Sequence, residues 1–543
     1  MRAAVMDTVI GGRDDAEVFA RAKQIGCAGV EITAGRVDLR DSKETRLESL
    51  RRAKQTTGLE IHALVLGEHN ESGGLADENA DASGAARDDV RDAIAWADGL
   101  GAEVILVPFF MRSELQSEAD VDRAAGAFRS LCSIAAERGI TLCYEGTLPA
   151  GEILSLAARV ESDAFGCYFD LANPLAKRGL DVPSEIRALG SRIRRVHVKD
   201  TRIVSGDCRP GTGRVDFGEC ARALSEIGYD GWLTLETPPA PPPLISRDVS
   251  FVRSVFTGLD DEPPWPRIGA FSRDFGKGEW EQLGEAFVRL GLELTQLDGA
   301  LLEESIQDPA TGSKGRTVLE SRGIRIPALG GYRNLIAPET DVRAANIDHM
   351  RRCLEVAPAL GSYVVATETG TMSSDGDWTD SPLNETDAAW SRLYDALEAL
   401  LPAAEQSGTI LALEAHVKHV LKTRSQMDGL LERFPSQHLQ IVCDPYNYVS
   451  AELLPIQREA TDVLLDEFED RFVLAHLKDV HARGAEVGTP EFGTGIFYQS
   501  PYLEFLRTRR PDLDLIAEHL PLANVADVRG RIDALMTSGA RPA

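Results

Sequence analysis

Short apolar runs alternate along the chain with longer stretches in which apolar residues recur at helical spacing. The runs predict strands at 2–6, 29–32, 60–66, 103–109, 141–145, 166–170, 195–199 and 232–236 in the first half. A second set of eight is predicted at 267–271, 293–297, 325–329, 362–366, 410–414, 440–444, 472–478 and 514–518. Between them lie amphipathic segments. Phe128, Leu131, Ile134 and Ala135 share one helical face that stops at Gly139, and Leu393, Leu397, Leu400 and Leu401 do the same before Gly408. Eight strand–helix pairs in each half predict an α/β protein built of two tandem (β/α)₈ barrels, with a doubly wound sheet as the structural alternative.

The two halves repeat each other in short segments. Leu142-Cys143-Tyr144-Glu145 matches Leu411-Ala412-Leu413-Glu414, and Asp170 with Asn173 matches Asp444 with Asn447. His197-Val198-Lys199-Asp200 matches His476-Leu477-Lys478-Asp479, and Glu236 matches Glu518. The offset drifts in one direction, from 269 to 282, as loop insertions in a repeated unit would make it. The stretch 257–266, rich in Pro, Gly and acidic residues, reads as a linker with its boundary near Asp260. Two units at 1–259 and 265–543 follow. The proline run 238–243 reads as a loop ahead of a helix at 246–256.

Composition narrows the function. Acidic residues outnumber basic ones 86 to 58, giving a net charge of −28, which argues against a nucleic-acid or anionic-membrane binder. No apolar run is long enough to span a bilayer, and the first residues carry no signal-peptide core, so a cytoplasmic protein is expected. Eight cysteines without a Cys-x-x-Cys pair read as buried, reduced thiols.

The chemistry sits where predicted strands end. Glu145, Asp170, His197 and Glu236 in the first half, and Glu414, Asp444, His476 and Glu518 in the second, stand at the C-terminal ends of strands five to eight. In a parallel barrel those ends converge on one mouth. A lone carboxylate there would cap a helix or pair with a cation. Four such residues, three carboxylates and a histidine, recurring together in two copies point instead to a metal centre. Three carboxylates and an imidazole suit Mn²⁺ first, with Mg²⁺, Co²⁺ or Zn²⁺ as alternatives.

The order of strand-end Glu, Asp-x-x-Asn, His-x-Lys-Asp, a Gly-x-Gly loop and a final Glu resembles the xylose-isomerase-like TIM barrels. These include the sugar phosphate isomerase/epimerase family, ketose 3-epimerases and inosose dehydratases. The likeness spans both halves and is tighter in the second, through Leu413-Glu414-Ala415-His416 and Ala328–Asn334. The first half departs from it with Gly146-Thr147 after its Glu. The resemblance implies a divalent ion held by each quartet and a sugar ketone whose neighbouring carbon loses a proton to form an enediolate. It also implies that Glu145 with Glu236, and Glu414 with Glu518, exchange protons with the substrate as base and acid.

Asn173, Lys199, His416, Asn447 and Lys478 are candidate substrate-binding residues. For the lysines the competing role is an ion pair with Asp200 or Asp479. For the asparagines it is capping of the next turn, and for His416 a supporting hydrogen bond. Glu31 and Gln296 could reach the mouth, His419, His481 and His519 read as rim histidines, and 211–213 and 493–495 as tight turns. Specificity is expected in loops such as 70–86 and 371–385. The expected activity is a metal-dependent sugar isomerase or epimerase. The alternatives are a keto-sugar or inosose dehydratase or lyase using the same site, a first barrel serving as non-catalytic scaffold, and, least, a DNA-repair endonuclease. The partner is a small sugar, and the chain is either a monomer whose halves imitate a dimer or a homo-oligomer.

Overall fold

The computed structural model describes residues 1–40, 43–256, 266–275, 278–490, 493–519, 530–531 and 534. The linker expected near Asp260 lies outside them. The chain divides into two compact units, Met1–Asp261 and Glu262–Ala543. In the first, strands β1 (Arg2–Met6), β2 (Gly29–Thr33), β3 (Glu60–Val65), β4 (Val104–Phe109), β5 (Thr141–Gly146), β6 (Phe165–Asp170) and β7 (Ile193–Val198) are followed by a hairpin, β8 (Asp200–Thr201) with β9 (Ser205–Cys208), and by β10 (Trp232–Leu235). Strands β1 to β7 and β10 close into one parallel barrel, and β8 pairs only with β9, antiparallel. The second unit holds β11 (Ile268–Phe271), β12 (Leu294–Leu297), β13 (Arg325–Gly330), β14 (Val364–Glu368), β15 (Ile410–Glu414), β16 (Leu439–Cys443), β17 (Phe472–Leu477) and β18 (Leu515–Ala517), closed in sequence order. Two tandem (β/α)₈ barrels are therefore the fold.

The strands are nearly continuous apolar runs because both faces are covered: side chains fill the barrel on one side and helices pack on the other. Each unit has its own core, from Ala3 to Phe256 and from Ile268 to Ala517. The covering helices form where capping and periodicity agree. Glu118–Ala136 starts in a reciprocal cap between Ser117 and Asp120 and buries Phe128, Leu131 and Ala135, while Ile134 is half-buried. Asp387–Ser407 starts at the Thr386 cap, buries Leu393, Leu397, Leu400 and Leu401, and ends at Gly408 with φ 67°, where a Cβ would be strained. All eight cysteines are buried free thiols. No described helix is long and apolar enough to cross a membrane.

Three expectations need correction. The helix after the proline run begins at Pro242 rather than 246, because the first helical turn needs no amide donors and tolerates proline. Residues 70–86 are not one loop: Ala80–Leu100 is a helix capped by Asn79. The third concerns the two aspartates that follow the lysines. Asp200 accepts the backbone N–H groups of Gly211, Gly213 and Val215, and Asp479 those of Gly495 and Phe497. The Gly-Thr-Gly segments are turns wrapped around a carboxylate of their own chain, and a Cβ at Gly213 or Gly495 would collide with it.

Asp200 is fully buried, so Asp200→Ala strands four amide donors, those of Thr201, Gly211, Gly213 and Val215. A loss of about 3 kcal/mol from the first barrel is expected, read as a lower urea midpoint for that unit with the second unit unmoved.

Candidate active site

Every residue of the two quartets reaches the mouth of its barrel. Among the described residues, one ligand atom each from Glu145, Asp170, His197 and Glu236 lies within 4.8 Å of the others, and the same holds for Glu414, Asp444, His476 and Glu518. The strand-end positions explain this. Glu145, Asp170 and Glu414 are the last or next-to-last residues of β5, β6 and β15, and Glu236, Asp444 and Glu518 stand one residue beyond β10, β16 and β18. Adjacent strand ends bring them together.

The two imidazoles are held from behind. His476 Nε2 donates to Gln296 Oε1 at 2.9 Å, Gln296 Nε2 donates to the Tyr332 hydroxyl at 3.1 Å, and that hydroxyl donates to Glu414 Oε2 at 3.1 Å. In the first barrel His197 Nε2 lies 2.8 Å from Glu31 Oε1, and Tyr168 donates to the other Glu31 oxygen. Glu31 and Gln296 thus lie behind the histidines rather than open to the mouth. With Nε2 carrying the proton, each Nδ1 faces carboxylates. His476 Nδ1 lies 3.3, 3.4 and 3.6 Å from oxygens of Glu414, Asp444 and Glu518 and hydrogen-bonds to none of them. A lone pair among three carboxylates needs a proton or a metal cation. The donor set fits one hard divalent ion per barrel.

The lysines join the quartets. Lys199 Nζ is 2.7 Å from Glu236 and 3.3 Å from Asp170; Lys478 Nζ is 2.7 Å from Asp444, 2.8 Å from Glu518 and 3.6 Å from Glu414. They do not pair with Asp200 or Asp479, whose oxygens are taken by loop amides. The asparagines orient the strand-five glutamates: Asn447 Nδ2 donates to Glu414 Oε1 at 2.5 Å and Asn173 Nδ2 reaches Glu145 Oε1 at 3.5 Å. The turn caps are instead Asp170 and Asp444, which accept the asparagines' own amides. His416 Nδ1 accepts the Lys418 amide at 3.1 Å, so it supports its loop, and His416 packs edge-on to Trp378.

Charge separates the paired glutamates. Burial pushes Glu145 up to about 7 against the pull of His197, whereas burial at Glu236 is outweighed by Lys199 and His197, which hold it at about 2. In the second barrel Glu414 is raised by burial, and Glu518 is lowered because Lys478 and His476 outweigh burial. At His476 burial favours the neutral ring, but Glu518 and Glu414 raise it to about 10.

The barrels differ in what surrounds the quartet. Glu368 pairs in register with Glu414, where the first barrel sets Pro108 beside Glu145. Glu368 is buried, and burial together with the Glu414 charge pushes its carboxyl well above the ordinary range. His419, expected at the rim, is 2% exposed; burial lowers it to about 4. Tyr332, Glu368 and Trp378 were missed as site residues. Glu368 closes the apolar run Val364-Val365-Ala366-Thr367 just as the other strand-end glutamates close theirs.

A family model described as "Xylose isomerase-like TIM barrel" matches residues 19–255 and 285–527. Among curated proteins the chain is similar to a 2-epi-5-epi-valiolone 7-phosphate 2-epimerase of Actinoplanes sp., 35% identical over 107 residues, 19% of this chain and 38% of the relative. It is also similar to an inosose dehydratase of Salmonella typhimurium, 28% identical over 181 residues, 32% of this chain and 55% of the relative. The chain therefore matches between 38% and 55% of these relatives' length. Among solved structures, a D-psicose 3-epimerase aligns at 15% identity and a TM-score of 0.42, covering 48% of this chain and all of that one. A 3-keto-D-glucoside 4-epimerase from E. coli aligns at 17% identity and a TM-score of 0.41, covering 47% and 99%.

Two outcomes are expected. Glu31→Gln should weaken metal binding to the first barrel about 10- to 100-fold by calorimetry and leave the second unchanged, since only the first histidine leans on a carboxylate. Because His476 is raised to about 10, the metal-free fold is stabilised by its proton below the unfolded value near 6.5, and that contribution is lost as pH rises through about 10. A metal ion must displace this proton, so affinity at the second barrel should climb with pH across the neutral range and binding should release about one proton.

Proposed function

Because the chain belongs to the xylose isomerase-like TIM barrel family, with one match in each half, we propose that it is a divalent-metal-dependent isomerase or epimerase of polyhydroxy ketones. The domains are the two barrels, at 1–259 and 265–543, and the second carries the chemistry. The observation behind the reading is the convergence of Glu414, Asp444, His476 and Glu518 at one strand-end mouth. The names of the curated relatives, an epimerase and an inosose dehydratase, lean the same way.

A bound divalent ion, Mn²⁺ foremost, would supply positive charge to the carbonyl and neighbouring hydroxyl oxygens of the substrate, which lowers the cost of the enediolate. The protein's own part is proton transfer. Glu518, held ionised by Lys478, takes the proton from the carbon beside the carbonyl. Glu414, which carries a proton more readily, returns one on the opposite face, its oxygens fixed by Asn447 and Tyr332. Lys478 balances the charge and holds a substrate oxygen. In the first barrel Glu236, Glu145, Lys199 and Asn173 occupy the same places, but Pro108 and Gly146-Thr147 leave that mouth without counterparts of Glu368 and His416. We assign the first barrel a metal-holding, scaffolding role.

The second reading is a dehydratase, favoured by the similarity to inosose dehydratase. Both begin with the same proton abstraction and differ in whether a β-hydroxyl then leaves. Incubating the Mn²⁺-loaded protein with a ketose and inosose panel in D₂O separates them by NMR. Deuterium at the α-carbon without loss of mass class is expected; loss of water would establish the lyase. Glu414→Gln should lower turnover about 10²- to 10⁴-fold, while Glu145→Gln changes it less than about threefold. The opposite ranking would assign the chemistry to the first barrel.

A further inference from the structure

Beside the second quartet lies a small cleft of about 40 Å³, walled by Tyr332, Glu368, Asp377, Trp378 and His419 among others. Tyr332 and Glu368 belong to both places: the Tyr332 hydroxyl donates to Glu414, and Glu368 faces Glu414 across the strand pair. The cleft is thus a side branch of the mouth. A water needs about 10–15 Å³ of such space, so this branch has room for a hydroxyl and its carbon but not for a second sugar ring.

Its polar groups are built and unfinished. His419 Nε2 lies 3.0 Å from the Asp377 carbonyl oxygen, so that nitrogen carries the hydrogen and Nδ1 presents a lone pair. His419 Nδ1 is buried and has no hydrogen-bond partner. It stands 3.9 Å from Glu368 Oε2, too far for a direct hydrogen bond. Glu368 is itself only 5% exposed. An oxygen at ordinary hydrogen-bond length from both atoms completes a triangle with that 3.9 Å side. The Trp378 ring, 54% exposed and 5.4 Å from the His419 ring, adds an apolar face beside them. A buried imidazole nitrogen left without a partner, 3.9 Å from a buried carboxyl, marks the place of a ligand hydroxyl.

We propose that Glu368 and His419 form a subsite that reads a hydroxyl of the substrate remote from the reacting carbons, with Trp378 against the adjoining C–H face. This deepens the reading above and rests on it: the substrate is a keto-polyol with at least one hydroxyl beyond the pair of oxygens at the metal centre. A ketone lacking that hydroxyl leaves His419 Nδ1 unpaired and is rejected. The first barrel, with Pro108 at the corresponding register, has no such subsite.

Calorimetric binding to the Mg²⁺-loaded full chain tests this, using D-fructose, a 2-keto-inositol, and analogues of each lacking one remote hydroxyl. Glu368→Ala and His419→Ala should each weaken the best-bound keto-polyol at least tenfold, yet bind its matching deoxy analogue as the wild type does. Glu368→Gln, which keeps a donor and an acceptor, should retain most of the affinity. Metal content is measured on every variant, and if Glu368→Ala loses its ion, His419→Ala decides. Unchanged affinity, an equal loss for every analogue, or no keto-polyol bound by the wild type would overturn the subsite. Isotope exchange in D₂O is followed on the same proteins and ligands with Mn²⁺ loaded in place of Mg²⁺. Binding without exchange would sink the epimerase reading and leave the subsite standing.

Discussion

Three carboxylates gathered with one imidazole set the terms for each barrel, all of them buried in the second and Glu236 half-buried in the first. Like charges about 4 Å apart repel by about 4 kcal/mol even at an effective dielectric of 20. Within each quartet all four ligand atoms lie inside 4.8 Å, so the repulsion acts between every pair of ionised groups. Lys199 and Lys478 offset part of it by direct contact with two carboxylates each. The remainder is met by protonating the histidine or by a cation. Burial makes the arrangement costly when empty, and the same burial would favour a divalent ion over water at its centre.

The surrounding polar groups follow from that constraint. Each histidine must offer Nδ1 forward, so each needs an acceptor behind Nε2, and β2 or β12 supplies it in the form of Glu31 or Gln296. A carboxylate behind the ring makes it a stronger base than an amide does. The first barrel sets its extra carboxyl group behind the histidine, as Glu31, and the second sets one beside Glu414, as Glu368, where burial and the Glu414 charge favour the protonated form. One architecture thus carries two quartets whose surrounding polar groups differ.

Most of the frame was legible in the sequence because its signals are repeated or periodic. All sixteen barrel strands fall where apolar runs predict them, since a strand covered on both faces leaves an unbroken run. The quartets were legible because they occur twice. Glu368 escaped notice because it occurs once. Glu368 has no partner in the first half, and strand β14 was predicted to stop at residue 366, two short of it. The tie from histidine to Glu31 or Gln296 spans 166 and 180 residues, and no local pattern marks such a contact. The lysine partners were misread for a related reason. Asp200 and Asp479, the lysines' neighbours in sequence, are instead taken up by backbone amides of a loop further along the chain.

The most direct measurement is anomalous diffraction at the manganese edge from crystals of the full chain soaked in Mn²⁺. Two peaks per chain are expected, one about 2.0–2.3 Å from Glu145, Asp170, His197 Nδ1 and Glu236, and one at the same distances from Glu414, Asp444, His476 Nδ1 and Glu518. Ordered crystals with no peak at either quartet, or with manganese bound only elsewhere, would contradict the account at its root.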